Sequence, residues 1–185
     1  GIAGPISIYG GAITVNQNLN TSTAATASAV MLKGRGNISL ASGKSITTNG
    51  GAVTFWSDSD GNGTGYVQML TNSSVSTSGG NITMSGGSNL ATGYAYGYGT
   101  SYTTEQGVNI DTYSTVNAGT GSVTLRGATS ASTNDYIIGL RISGAGVSVT
   151  GGNLSFVGNA STAVSQLNRG AWGVAVINGA SVTGS

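Results

Sequence analysis

A short phrase, Gly-x-[Val/Ile/Leu]-[Ser/Thr]-apolar, returns seven times in this chain of 185 residues, as GPISI, GAITV, GNISL, GAVTF, GNITM, GSVTL and GNLSF. A second phrase keeps step with it. From Gly65, Gly107, Gly139 and Gly173 the chain runs through an alternating segment to a valine (Val75, Val116, Val147, Val182) ten, nine, eight and nine residues on. Self-similarity of this kind is what stacked repeats leave in a sequence.

The stretch 65–84, GYVQMLTNSSVSTSGGNITM, holds one whole unit: Val67 and Met69, then Val75, then Ile82 and Met84, with Leu70 out of step. The period of two is that of a half-buried strand, one face apolar and the other bearing Ser, Thr, Asn or Gln. Upstream, Ile6, Ile8, Ile13, Val15, Val30, Leu32, Ile38, Leu40, Ile46, Val53 and Phe55 fall on the inward side, with Ser7 and Thr14 outward. Gly34, Gly36, Gly43, Gly50 and Gly51 mark the turns between them. The small-residue stretch 21–29 has no apolar face and is expected to be an excursion.

One such unit buries very little, and isolated two-stranded pieces are marginal in water, so the units must pile up. The turns are too tight for crossover helices. The pattern therefore predicts an all-β chain folded as a right-handed parallel β-helix (β-solenoid) of about five or six coils. Val75, Val116, Val147 and Val182 are expected to stand above one another. An antiparallel β-sandwich of the same strands is the alternative. Intervals of nine, twenty-two, thirteen and sixteen residues separate a closing phrase from the next anchor glycine, which places the variable loops at one corner. Residues 1–185 read as a single β-helix segment. No signal peptide is recognisable at Gly1 and the chain stops mid-unit at Ser185, so a piece of a longer repetitive chain is expected.

Composition narrows the function. Charged residues are 6% of the chain, against roughly 25% in ordinary globular proteins. With a net charge of +1 and the basic residues scattered singly, there is no footprint for nucleic acid or an anionic membrane. No run approaches the roughly 18 apolar residues of a membrane helix. The chain has no histidine and no cysteine, which removes the commonest general base and every thiolate metal site.

In KSITTNGGAVTF and SSVSTSGGNITM a Ser-[Ile/Val]-x-Thr phrase precedes the Gly-Gly closing run. With this motif the chain resembles the repeat regions of filamentous-haemagglutinin-like large exoproteins and related autotransporter passengers, which are bacterial surface adhesins, the former exported by two-partner secretion. The resemblance covers most of the chain as a pattern. It implies an extracellular or cell-surface fibre of which this would be a shaft segment presenting loops, and it brings no catalytic motif. Two other functions fit the same residues: a carbohydrate- or host-binding module acting through the Tyr-rich loop 93–102, and a fibre subunit that stacks end to end. Expected partners are flanking repeats of the same polypeptide or other copies end to end, and a host glycan or surface protein, with no nucleic acid and no membrane insertion.

Four sets of residues are candidate sites. Asp58, Asp60, Asn62 and Thr64 lie in DSDGNGT, which matches the first half of a calcium loop, where alternating oxygens wrap a hard cation. The position of the closing bidentate Glu is Met69, so a calcium site here would be weak, and the same residues form a solvated Asp/Gly/Asn turn; no other cofactor is suggested. Tyr94, Tyr96, Tyr98 and Tyr102 fall in the insert 85–106. The first three alternate, which puts their rings on one face, either as a ligand platform or folded back on the flank of the solenoid. Thr14, Ser39, Thr54, Thr83, Thr124 and Ser155 occupy the outward place of the closing phrase and would form a ladder able to order water, although Thr also simply suits exposed strand positions. Finally, Asp111, Arg126 and Arg141 fall near matching places in adjacent units, while Glu105 and Asp135 stand apart. A solvated ion pair explains the first three, and no catalytic set is assembled, so the chain is not expected to be an enzyme.

Overall fold

The computed structural model describes residues 4–24, 26–98, 105–129, 137–160 and 171–184, and all of its regular structure is strand. In chain order the strands are β1 (Ile6–Gly10), β2 (Ile13–Val15), β3 (Leu19–Asn20), β4 (Val30–Gly34), β5 (Ile38–Leu40) and β6 (Ser45–Thr47). Next come β7 (Val53–Ser57), β8 (Val67–Met69), β9 (Ser74–Ser76), β10 (Ile82–Gly86), β11 (Ala95–Gly97), β12 (Val108–Ile110) and β13 (Thr115–Asn117). The last are β14 (Val123–Thr129), β15 (Ile137–Ser143), β16 (Ser148–Gly151), β17 (Leu154–Ala160), β18 (Ala171–Ile177) and β19 (Ser181–Gly184).

Three parallel sheets share these strands. The first runs β1-β4-β7-β10-β14-β17, with β11 beside the second half of β14; the second runs β2-β5-β8-β12-β15-β18; the third runs β3-β6-β9-β13-β16-β19. The chain visits the sheets in turn and pairs each strand with its counterpart one circuit away, which is a β-helix or solenoid-like parallel β fold. Every strand pairing is parallel, so the antiparallel sandwich is ruled out. The antiparallel contact between Gly65 and Tyr96 is an isolated bridge between the residue that follows loop 58–64 and β11.

Register turns the alternation into interior columns. In the first sheet Ile8, Leu32, Phe55, Met84, Leu125 and Phe156 follow one another from strand to strand. In the second, Val15, Leu40, Met69, Ile110, Ile142 and Val176 do so. The third sheet contributes Leu19, Ile46, Val75, Val116, Val149 and Val182. Val147 is therefore not in the valine column; Val149 takes that place. Val147 ends the preceding turn, where its N–H donates to Gly144 O, and it is buried two positions upstream of Val149, level with Ser114 and Ser73.

Two corners explain the glycines. A Cβ on Gly80 would stand 2.4 Å from the carbonyl oxygen of Gly51, and one on Gly121 would meet Gly80 O at the same distance, so backbones stack there with no room for a side chain. At the corner between the first and second sheets, a Cβ on the anchor residue Gly139 would lie 2.6 Å from Gly127 O. Of the long intervals in the sequence, the described loops 58–66 and 87–94 both follow strands of the first sheet, β7 and β10. The excursion 21–29 leaves from another corner, between β3 and β4.

The repeated Thr before the Gly-Gly pair has a structural role. Thr48 and Thr77 are buried, and their hydroxyls donate to the carbonyls of Gly51 and Gly80 three residues on, closing the turn from the third sheet back to the first. Thr21, one circuit earlier, donates at 2.7 Å to Ser28 O across the excursion.

Candidate functional site

Two of the inserted loops rise side by side over the outer face of the first sheet. Loop 58–64 follows β7 and is fixed by Ser59 N donating to Gly34 O at 3.0 Å and by the Ser57 hydroxyl donating to Gly65 O at 2.7 Å. Loop 87–94 follows β10, starts with Gly87 N donating to Ser57 O at 3.1 Å, and re-enters the sheet as β11. The loops touch where Gly61 faces Ser88. Between them lies a cleft of about 550 Å³, lined among others by Asp58, Asn62, Ser88, Asn89, Tyr94 and Tyr96. Two of the candidate sets, far apart in sequence, are thus brought to one place.

Within loop 58–64 the oxygens serve the loop itself. Asp58 is 1% exposed and sits at φ 47°, with Oδ1 accepting from Gly63 N at 3.1 Å and from Thr64 N at 3.3 Å. Asn62 Oδ1 accepts from Thr64 N at 2.9 Å, and Asn62 Nδ2 donates to Asp60 Oδ2 at 3.1 Å. Burial raises the Asp58 pKa above its ordinary 3.8; the Thr64 and Gly63 N–H groups oppose this and the nearby Asp60 charge adds to it. Among the described residues, no group of three or more His, Cys, Asp or Glu could hold a metal ion.

The alternation at Tyr94, Tyr96 and Tyr98 holds: Ala95 and Gly97 are buried and the tyrosines lie on the other side. Tyr94 and Tyr96 are half-buried and meet edge to face, with ring centroids 6.5 Å apart; Tyr98 is 43% exposed and tilts against Tyr66 at 6.4 Å. Tyr102 lies outside the described residues.

Arg126, on the outer side of β14, holds the far end of loop 87–94. Its guanidinium lies 4.8 Å from the Tyr94 ring centre and donates to Gly93 O at 2.9 Å and Thr92 O at 2.8 Å. Arg141, on the second sheet, donates to Asn109 Oδ1 at 3.0 Å and Ser143 Oγ at 3.0 Å. Asp111 accepts from the Thr71 hydroxyl at 3.3 Å and from Thr112 N at 2.9 Å. The matching places in the repeat thus do not bring Arg126 to Arg141, because the two sit on different sheets. Glu105 is buried, and Asp135 lies outside the described residues.

The Thr/Ser ladder divides in the same way. Thr54, Thr83, Thr124 and Ser155 are consecutive on the first sheet, but Thr14 and Ser39 pair with each other on the second, where Gln68 follows them. The closing phrase occurs on two sheets, so equal sequence place is not equal position in space.

Trp56 was not among the sequence candidates. It continues the alternation one step beyond Phe55 and lies on the outer side of β7; a large aromatic in an outward place was the available signal. Its indole N–H donates to Gly87 O at 2.7 Å, and Lys33 Nζ, from the neighbouring strand, lies 3.7 Å from the ring centre. Beside it runs a groove of about 630 Å³ bounded by Trp56, Thr83, Thr124 and residues 88–91. Loop 87–94 is therefore a ridge with the aromatic cleft on one side and the Trp56 groove on the other.

No family model, no curated protein and no solved structure matches the chain. No helix among the described residues is long and apolar enough to cross a membrane.

Proposed function

We propose that this chain is a non-catalytic, rigid segment of an extracellular or bacterial cell-surface adhesive fibre, wound as a right-handed β-helix of about five or six coils, whose task is to extend and to present the loops over its first sheet. The observation that supports this most is the division of labour along each circuit. Three sheets repeat in register with little change, while two long loops that follow strands of the first sheet wall a cleft. Right-handed winding is favoured because parallel crossovers take that hand almost without exception. The Ser-x-x-Thr and Gly-Gly phrases support an exoprotein-like repeat, since each has a turn-closing role that serves stacking rather than chemistry.

Val174, Val176 and Val182 top the interior columns on β18 and β19 and are 39%, 42% and 37% exposed. This favours further coils, from the same polypeptide or another copy, as a partner of that face.

The test is to replace loops 58–64 and 87–94 by turns as short as that joining β4 to β5, and to compare adhesion of cells displaying the parent and the variant. Loss of adhesion with an unchanged β-sheet spectrum and melting within a few degrees of the parent is expected. Undiminished adhesion would overturn the presenting role.

A further inference from the structure

We propose that the groove between Trp56 and residues 88–91 binds a neutral oligosaccharide, one sugar ring lying against the indole. The proposal deepens the presenting role above and rests on it, since it names the ligand class of that same loop-bearing face.

Three observations carry it. The indole is held at its N–H edge by Gly87 O, and one face is covered by Lys33, whose Nζ lies 3.7 Å from the ring centre and which the strand order β4-β7-β10-β14 puts on one side of Trp56; Thr83 and Thr124 come from the other side, where the groove and the remaining face lie. An aromatic ring fixed beside an open trough is a stacking surface that loses little freedom on binding.

The lining has two characters. Trp56, Leu90 and Ala91 are apolar, while Thr83, Thr124, Ser88 and Asn89 supply hydroxyls and an amide, and no lining residue is charged. A sugar ring has the matching surface, an apolar C–H face with a rim of hydroxyls. Sulfate, phosphate or carboxylate groups would find no counter-charge in the groove, and a wholly apolar ligand would strip water from the threonines without replacing their hydrogen bonds. Thr83 and Thr124 are register partners on adjacent strands, so their hydroxyls stand about one strand spacing, ~4.8 Å, apart along the floor. The volume, about 630 Å³, lies within the usual range of small-molecule sites.

The third observation is preorganisation. Loop 87–94 is tied down at its start by Trp56 and at its end by Arg126 and by the Ser85 hydroxyl donating to Gly93 O at 3.0 Å. Closing around a ligand therefore needs no ordering of that wall.

The chain has two tryptophans, so a Trp172→Phe background leaves Trp56 as the sole indole reporter. That protein is titrated with neutral gluco-, galacto- and manno-configured oligosaccharides and with sialylated and sulfated ones, following indole emission and heat. At least one neutral oligosaccharide is expected to shift the emission saturably. Trp56→Ala, and separately the shape-conserving pair Thr83→Val and Thr124→Val, are expected to weaken it by about tenfold or more. The pair keeps β-branched side chains in the strands and guards against a folding defect in Trp56→Ala. Binding of acidic oligosaccharides alone, no binding by any neutral one, or binding that survives both variants would overturn the proposal. If adhesion still depends on loops 58–64 and 87–94 in that event, the ligand class fails and the presenting role stands.

Discussion

Gly80 rests on the backbone of Gly51, so closely that a methyl group on Gly80 would stand 2.4 Å from the Gly51 carbonyl oxygen. The neighbour is backbone in the next circuit and cannot move without opening the parallel pairing of β7 and β10. Gly80→Ala is therefore expected to cost about 3 kcal/mol, although the φ of Gly80 suits any residue. Urea unfolding followed by circular dichroism checks this. A loss under about 0.5 kcal/mol, the ordinary range for a surface change, would show that the circuits can slide apart.

The Thr77 hydroxyl closes the same turn by donating to Gly80 O from a buried position. Thr77→Val keeps the shape and removes the donor, and should lower stability by about 1–2 kcal/mol; Thr77→Ser should recover most of it. A loss in Thr77→Ser with none in Thr77→Val would assign the effect to the methyl group instead.

Tyr113 adopts φ 59° in a four-residue turn whose corresponding position is Asn72 (φ 62°) one circuit before and Gly146 (φ 69°) one circuit after. Left-handed backbone is costly for a bulky side chain and mild for Asn. Tyr113→Asn is expected to stabilise by about 0.5–1 kcal/mol, read as a rise in melting temperature. A fall would mean that the ring's packing over Gly146 outweighs the backbone term.

Asp58 carries a pKa raised above 3.8, chiefly by burial, so the folded chain holds this proton more tightly than the unfolded one. Its contribution to stability is then fullest at low pH, falls as pH rises from about 3.8 through the raised folded value, and is level above that. Asp58→Asn keeps an acceptor for Gly63 and Thr64 and removes the charge. The melting-temperature difference, variant minus parent, should be more positive at pH 7 than at pH 3.5. A difference independent of pH would show that Asp58 does not titrate differently on folding.

Calcium at about 1 mM, where extracellular calcium modules fill, is expected to leave the melting temperature unchanged. The Asp58, Asp60 and Asn62 oxygens already accept hydrogen bonds within the loop. An upward shift abolished by Asp58→Asn would show that the loop rearranges to bind the ion.

The inward residues were readable because alternation and burial say the same thing: Leu32, Ile46, Val53 and Phe55 all fall inside as their spacing requires. Register was harder. In GAGVSVT both Val147 and Val149 satisfy the alternation, and only the turn bond from Val147 N to Gly144 O puts Val149 in line with Val116. The closing phrase says "strand after a Gly turn" but not which sheet, so it gives Thr14 and Thr54 the same place although they lie on different sheets. The cleft was not legible at all. It depends on Gly61 meeting Ser88 across two inserted loops, a contact with no local signal, and the Trp56 groove depends on residues 88–91 lying beside the register pair Thr83 and Thr124.

The third-sheet column Ile46, Val75, Val116 and Val149 has a further consequence. Each circuit offers nearly the same seat above as it occupies below, so an added circuit would find its place ready and would move whatever lies beyond it by about 4.8 Å. Reach can thus be lengthened by duplicating one stretch of gene, with no new core to invent.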